Sequence, residues 1–401
     1  MNTQDYIKME DEFGAHNYHP LDVVINKAEG VWVWDVEGKK YMDCLAAYSA
    51  VNQGHCHPKI LAAFKEQADK VTLTSRAFRN DKLPLLYKKL HEMTGYDMFL
   101  PMNSGAEAVE TAIKLARRWA YQVKGLPSNK AEIIVADGNF HGRTTTIIGM
   151  SDDPDSFKDF GPYVDWAFPM HKYGDLEDLK SKLSPNTAAI LVEPIQGEGG
   201  VVVPPDGYLK GIADICKERN ILFICDEIQA GLGRSGKLFA HYYENVRPDI
   251  VCVGKALSGG FLPVSGCLAD KEIMLTIKPG EHGSTFGGSP IAAAVGIAAL
   301  EVIEEEHLVE NSFENGNYFL SELRKIKSPH IQQVRGKGLW IGFCLDTVAR
   351  PYVLKLQEEG LLCKDTHETI IRFAPPLIVT KKEIDWAVKT IAKVVAYFDA
   401  K

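Results

Sequence analysis

Three charged residues stand at the ends of short apolar runs in the middle of the chain. Glu193 closes "AAILVEP", Asp226 closes "ILFICDE" and Lys255 closes "DIVCVGK". A fourth run, "EIIVAD", ends in Asp137 just before "GNFHGRT". Any one of these residues could cap a helix or solvate a loop. Spaced along successive strands they would converge on one crevice, because open α/β sheets bind ligands outside the carboxyl ends of their strands. Lys255, between a buried run and "ALSGG", would be partly desolvated. That favours the neutral amine and makes it a nucleophile suited to Schiff-base chemistry; an ordinary surface lysine is the other reading. Asp226 could hold a proton on a heterocyclic nitrogen, or cap a helix. A Schiff-base lysine and such an acid are what pyridoxal phosphate needs, since the protonated ring is its electron sink.

Two segments compete for a phosphate. "MFLPMNSGAEAVETAIKLARRWA" reads as a short strand running into a helix, with Ser104 and Glu107 in the spacing of a capping box. Val109, Ala112, Ile113, Ala116, Trp119 and Ala120 then form one apolar face. Gly105 and Ala106 leave the first-turn N–H groups bare, and such a helix start binds phosphate without a lysine; a plain capped helix would look similar. The second segment, "GLGRSGK" at 231–237, fits the opening of a P-loop, but Leu238 stands where that loop needs a hydroxyl for magnesium. It also begins four residues after the strand ends at Asp226, with "EIQA" between. "GHCHP" at 54–58 has the residue types of a metal pair but not the spacing of a structural zinc site, so a turn before Pro58 is expected. "NFHGRT" offers Phe140 for ring stacking, with His141 and Arg143 beside it. Arg143 is either a surface charge or a bidentate clamp for a carboxylate.

These residues need an element order that brings them together. The nearly unbroken apolar runs at 132–137, 188–194, 221–227 and 249–255 suit a sheet buried on both faces, and the helical stretches between them imply an α/β layered domain with a largely parallel sheet. Residues 30–45 alternate and turn at Glu37-Gly38, which predicts a hairpin. From Pro290 onward a long helix, a second helix to about Ile326, strands in "GLWIGFCL" and "TIIRFAPPL", and a closing helix near 381–398 suggest a smaller α+β domain. The expected division is 1–50 as an N-terminal segment packing with that small domain, 51–290 as the large domain, and 291–401 as the small one.

Length and composition bound the function. With 401 residues, 45% hydrophobic and 24% charged, the chain can build two cores. A net charge of −8 without a basic run argues against nucleic-acid or anionic-membrane binding. No apolar stretch is long enough to span a bilayer. Eight scattered cysteines, none in a CxxC pair, read as reduced and mostly buried thiols, and with an N-terminus lacking an apolar h-region they point to the cytoplasm.

The strings "NSGAEAVE", "NFHGRT", "VEPIQGEGG", "CDEIQAGLGRSG", "VGKALSGG" and "GSTFGG" resemble, in order and over nearly the whole chain, the class III aminotransferases of the fold type I pyridoxal-phosphate superfamily. "GAHNYHPL", "YSAVNQGHCHP", "TLTSRAF", "KPGEHGSTFGG" and "IIRFAPPL" are similar to the ornithine-using branch. The resemblance implies a large domain with a mostly parallel, seven-stranded-type sheet flanked by helices, and a smaller α+β domain. It implies that Lys255 forms the Schiff base with pyridoxal 5'-phosphate and moves the proton, that Asp226 pairs with the ring nitrogen, and that Gln229 lies near the phenolic oxygen. Ser104, Gly105 and Ala106 would cradle the phosphate and Phe140 would stack on the ring. Ser284 and Thr285 would reach the phosphate across the interface of a homodimer.

For substrates, the resemblance implies L-ornithine and 2-oxoglutarate, giving glutamate 5-semialdehyde, which cyclises to pyrroline-5-carboxylate, and glutamate. This would link arginine breakdown with proline and glutamate. Tyr18 and Tyr48 would orient ornithine, Arg143 would hold the distal carboxylate of 2-oxoglutarate and Arg372 its α-carboxylate. Glu198 would cover Arg372 in the ornithine half-reaction and swing away in the other. Glu193 would be a supporting carboxylate. Some relatives carry Trp where this chain has His141. The alternatives are another ω-aminotransferase, using acetylornithine or 4-aminobutyrate, an aminomutase or decarboxylase on the same fold, and, remotely, a P-loop nucleotide enzyme.

Overall fold

A computed structural model describes residues 1–401. The apolar runs become strands because both faces of each are covered. In Glu132–Ala136, Ile133 and Val135 point into one core with Leu191 and Ile224, while Ile134 and Ala136 point into another with Ile190 and Phe223. Seven strands form the central sheet, in the spatial order Met98–Met102, Ser265–Ala269, Ile250–Val253, Leu222–Asp226, Thr187–Val192, Glu132–Ala136, Met170–His171. Five neighbouring strands of the seven are parallel; Ser265–Ala269 runs antiparallel to both of its neighbours. The register Val135↔Leu191, Leu191↔Ile224, Ile224↔Ile250 aligns the carboxyl ends of four strands along one edge. Helix Gly105–Trp119 covers one face and helix Tyr208–Arg219 the other. This is the α/β architecture that the alternation of runs and helices implied.

Two four-stranded sheets accompany it. Ile25–Glu29, Trp32–Asp35 and Lys40–Asp43 make the N-terminal meander, with the turn at Glu37-Gly38, and Leu361–Leu362 adds to Lys40–Asp43 as a parallel fourth strand. Ile331–Lys337, Trp340–Leu345, Ile370–Phe373 and Lys364–Thr366 form the other, all antiparallel. Helix Pro290–Glu305 packs on Pro58–Ala68, on Leu83–Thr94 and on the turn that begins at Lys255. Seven of the eight cysteines are buried and all are free; Cys56 is exposed. No helix is long and apolar enough to cross a membrane.

One short element breaks the pattern. Ala46, Ala47, Tyr48 and Ser49 have φ of 49°, 46°, 57° and 75°, four consecutive residues without glycine in the left-handed region. An isolated residue there is unusual; a run of four is held only by its surroundings.

Candidate active site

Three strands end in or just before the charged residues singled out in the sequence. Strand Leu222–Asp226 ends in its own acid. Asp226 Oδ1 accepts the N–H of Ile228, and Oδ2 lies 2.7 Å from His141 Nδ1, where it accepts the ring's N–H. Strand Ile250–Val253 passes through an extended Gly254 into Lys255, whose φ of 44° turns its side chain out of the strand direction. Glu193 follows strand Thr187–Val192. It is buried, with Oε2 accepting the N–H of Phe140 at 3.0 Å and Oε1 that of Gly197 at 3.4 Å.

Close backbone approaches show how the loops meet. A Cβ on Gly142 would lie 2.8 Å from the Cβ of Ala106, and one on Gly105 3.2 Å from the side chain of Ile228. One on Gly254 would come within 3.4 Å of Ile228, and one on Gly197 within 2.4 Å of Gln229 Oε1. The helix start, the "NFHGRT" loop, the residues after Asp226, the approach to Lys255 and the Glu193–Glu198 loop therefore share one crevice at the strand ends.

Helix Gly105–Trp119 opens with the capping box read from its sequence: Ser104 Oγ accepts the N–H of Glu107, and Glu107 Oε2 accepts that of Ser104. The N–H groups of Gly105 and Ala106 donate to nothing in the protein. Bare N–H groups at the positive end of a helix make an anion site. Ser284 sits beside this start, its Oγ accepting from Asn103 Nδ2 at 2.8 Å within the same chain; Thr285 is exposed.

Electrostatics set the protonation states. Burial holds Lys255 below the usual ammonium range, against the opposing pull of Glu198, Asp226 and Glu193. It lies deep in the crevice but keeps part of its side chain open to it. Burial pushes Glu193 up to about 7, helped by the charge of Asp226 and opposed by His141 and the two N–H donors. Burial works against a charged His141, but the hydrogen bond and charge of Asp226, with Glu193 behind, outweigh it and raise its pKa. His141 was legible only as a neighbour of Phe140; its bond to Asp226 spans 85 residues of sequence and follows from the strand register.

At the outer side of the crevice Arg372, 3% exposed, donates from Nη1 to Glu198 Oε1 at 2.7 Å and to the Gly197 carbonyl at 3.3 Å. Burial alone would raise the Glu198 carboxyl, yet the charge and hydrogen bond of Arg372 bring it below the usual range. The Arg372 guanidinium lies 5.1 Å from the centre of the Tyr48 ring. Tyr18 is 75% exposed; burial raises the Tyr48 pKa, and the charge of Tyr18 adds to that. Arg143 is exposed, its guanidinium 5.7 Å from the Phe140 ring, and Gln229 is buried.

The P-loop reading fails on geometry. Arg234, in the middle of "GLGRSGK", is fully buried and donates to the carbonyls of Leu339 and Pro375 and to Asn52 Oδ1. Only a short 3-10 turn, Ala240–Glu244, follows in the chain, where a P-loop runs directly into a helix. Its arginine joins distant chain segments instead of wrapping a phosphate.

Residues 13–395 match the family model described as aminotransferase class-III. A Geobacillus sp. (strain WCH70) protein named ornithine aminotransferase is 58% identical over 394 residues, covering 98% of this chain and 99% of its own. Among solved structures, ornithine aminotransferase from Toxoplasma gondii superposes with a TM-score of 0.98 at 42% identity, covering 100% of this chain and 96% of that one. Acetylornithine aminotransferase from Elizabethkingia anophelis superposes at 0.90 with 50% identity, covering 99% of this chain and 100% of that one.

Proposed function

Because the chain belongs to the class III aminotransferases, we propose that it uses pyridoxal phosphate to transfer the δ-amino group of L-ornithine to 2-oxoglutarate, giving glutamate 5-semialdehyde and glutamate. The observation that carries this is one crevice holding a lysine whose burial lowers its pKa, a buried carboxylate backed by histidine, two bare helix-start N–H groups and an arginine paired with a carboxylate. The donor set fits the cofactor: an amine for its carbonyl, an acid for its ring nitrogen, and free N–H groups for its phosphate. When bound, pyridoxal phosphate supplies an electron sink for negative charge developing on the carbon next to the transferred nitrogen.

The chain's own residues do the rest. Lys255 would hold the cofactor and, as a neutral amine, take the proton from the amine-bearing carbon of the substrate and return it. Asp226, which accepts from Ile228 N–H and His141, would pair with the ring nitrogen and hold its proton. Gly105 and Ala106, with Ser104 capping their helix, would bind the phosphate through N–H groups. Gln229 would sit by the phenolic oxygen, Phe140 against the ring, and Glu193 behind Phe140 as support. Tyr18 and Tyr48 would orient ornithine.

Two substrates of unlike charge must share this site. An uncovered Arg372 would favour the dicarboxylate alone, and a buried unpaired guanidinium is costly. The Glu198–Arg372 pair supports a resolution: Glu198 neutralises Arg372 while the diamine is bound and moves aside when 2-oxoglutarate offers its α-carboxylate, with Arg143 on the distal one. In this reading Ser284 and Thr285 complete the phosphate site of the other subunit of a homodimer. Residues 51–290 form the cofactor domain, 291–401 the small domain, and 1–50 pack with the latter. Free, mostly buried thiols suit a cytoplasmic enzyme.

The test is a half-reaction titration read from the cofactor's absorbance, with ornithine, acetylornithine and 4-aminobutyrate in separate arms. Ornithine is expected to convert the bound cofactor at the lowest concentration; preference for either rival would reassign the substrate. Lys255→Ala is expected to abolish turnover and covalent capture of the cofactor by borohydride, read by mass spectrometry. Normal turnover in that variant would remove the central assignment.

A further inference from the structure

Residues 14–20 carry Tyr18 towards the crevice with very little to hold them. Every residue from 8 to 20 is exposed. The backbone bonds of this strap are local: Gly14 N–H to the Glu10 carbonyl and Asn17 N–H to that of Ala15, with His16 contacting the Asp11 carbonyl. A single hydrogen bond reaches it from distant chain, a long one of 3.5 Å from Arg350 Nη2 to the Pro20 carbonyl. The other terminal nitrogen of the same guanidinium, Nη1, lies 3.1 Å from Asp365 Oδ1. Arg350 and Asp365 are partly screened from solvent, with side chains 23% and 20% exposed.

Asp365 belongs to strand Lys364–Thr366, which pairs with Ile370–Phe373 so that Lys364 stands opposite Arg372. Its neighbour Thr366 donates from Oγ1 to the Glu198 carbonyl at 2.9 Å. Glu198 in turn covers Arg372. Burial raises the Tyr48 pKa, and the charges of Arg372, Glu198, Tyr18 and Asp365 all act on it. One guanidinium therefore joins the strap bearing Tyr18 to the strand that supports the covering carboxylate.

We propose that Arg350 is a positioning residue for amine selection, tying residues 14–20 to Lys364–Thr366 so that Tyr18 stands beside Tyr48 while Glu198 covers Arg372. This rests on the ornithine reading above. An untethered strap would have to be ordered at each binding event, and the conformational entropy of that ordering would weaken the substrate that uses Tyr18. Glutamate and 2-oxoglutarate, held through Arg143 and Arg372, do not depend on the strap. A partly exposed ion pair sets the scale, so the effect is about two- to fivefold in half-saturating ornithine.

The experiment uses the full-length holoenzyme and the variants Arg350→Met, Arg350→Lys and Asp365→Asn. Each is titrated separately with ornithine and with glutamate, following the cofactor spectrum. Each is also exposed to chymotrypsin, with cleavage after Tyr18 timed in both cofactor-loaded and cofactor-free protein. Arg350→Met is expected to raise half-saturating ornithine about two- to fivefold at an unchanged saturating rate, leave the glutamate arm alone and speed cleavage after Tyr18. Arg350→Lys keeps a charge for Asp365 but lacks the second arm, and should fall between. Asp365→Asn should move the same arm in the same direction. Equal losses in both arms, no change in either, or unchanged cleavage would each overturn the tether. Wild-type protein that ignores ornithine would instead remove the parent reading, and the cleavage rates would still decide whether Arg350 holds the strap.

Discussion

Glu193 is a carboxylic acid enclosed where its charge is poorly tolerated. Its folded pKa of about 7 lies above the ordinary value of 4.5. The stability linked to its protonated form is therefore fully present below about pH 4.5 and is lost as pH rises through about 7. For a buried group the shift corresponds to about 3 kcal/mol between those limits. Glu193→Gln keeps the shape without the proton. In cofactor-free protein its melting temperature is expected to gain on wild type progressively from pH 5 to pH 8; a constant offset across that range would contradict the assignment. The same residue shows what single positions disclose. Glu193, Asp226 and Lys255 announced themselves because each closes an apolar run, and the parallel register then placed them together. The bond from His141 to Asp226 had no such announcement, since it depends on the loop after one strand reaching the last residue of a non-adjacent strand at the sheet edge.

The left-handed turn Ala46–Ser49 is the element that local sequence conceals. Each residue is ordinary for a right-handed helix, and none is the glycine or asparagine that marks φ > 0. Helix Gly105–Trp119, by contrast, was readable to its cap, because Ser104 and Glu107 make their bonds within four residues. The difference is the range of the forces. A capping box is satisfied locally. The turn is imposed by tertiary packing, with Ala46 and Ser49 buried and Tyr48 set against Arg372. The strain is about 1–2 kcal/mol per residue, a cost typical of segments that aim a functional side chain. Ala47 is exposed, so its replacement tests backbone strain without opening a cavity. Ala47→Gly is expected to be neutral or to stabilise by up to about 1 kcal/mol, where the same change inside a right-handed helix costs about 1 kcal/mol. Thermal denaturation reads the sign, and a loss of that size would mean the turn is not strained.

At the scale of the whole molecule, the proposed sharing of Ser284 and Thr285 between subunits makes cofactor retention a property of the assembly. Dilution followed in parallel by sedimentation and cofactor fluorescence is expected to show the cofactor leaving as monomers form; monomers that keep it as tightly would remove the sharing between subunits. Connectivity has a further consequence. Lys40–Asp43 is made early on the ribosome, yet the strand that pairs beside it, Leu361–Leu362, emerges only after more than three quarters of the chain has followed. The seven central strands lie between residues 98 and 269 and can pair before that moment. The N-terminal meander cannot: its Lys40–Asp43 edge stays open, with polar backbone groups unpaired, until Leu361–Leu362 has emerged. Birth order thus runs opposite to completion order: a strand made before the central sheet is sealed after it, and needs protection from stray pairing throughout the interval.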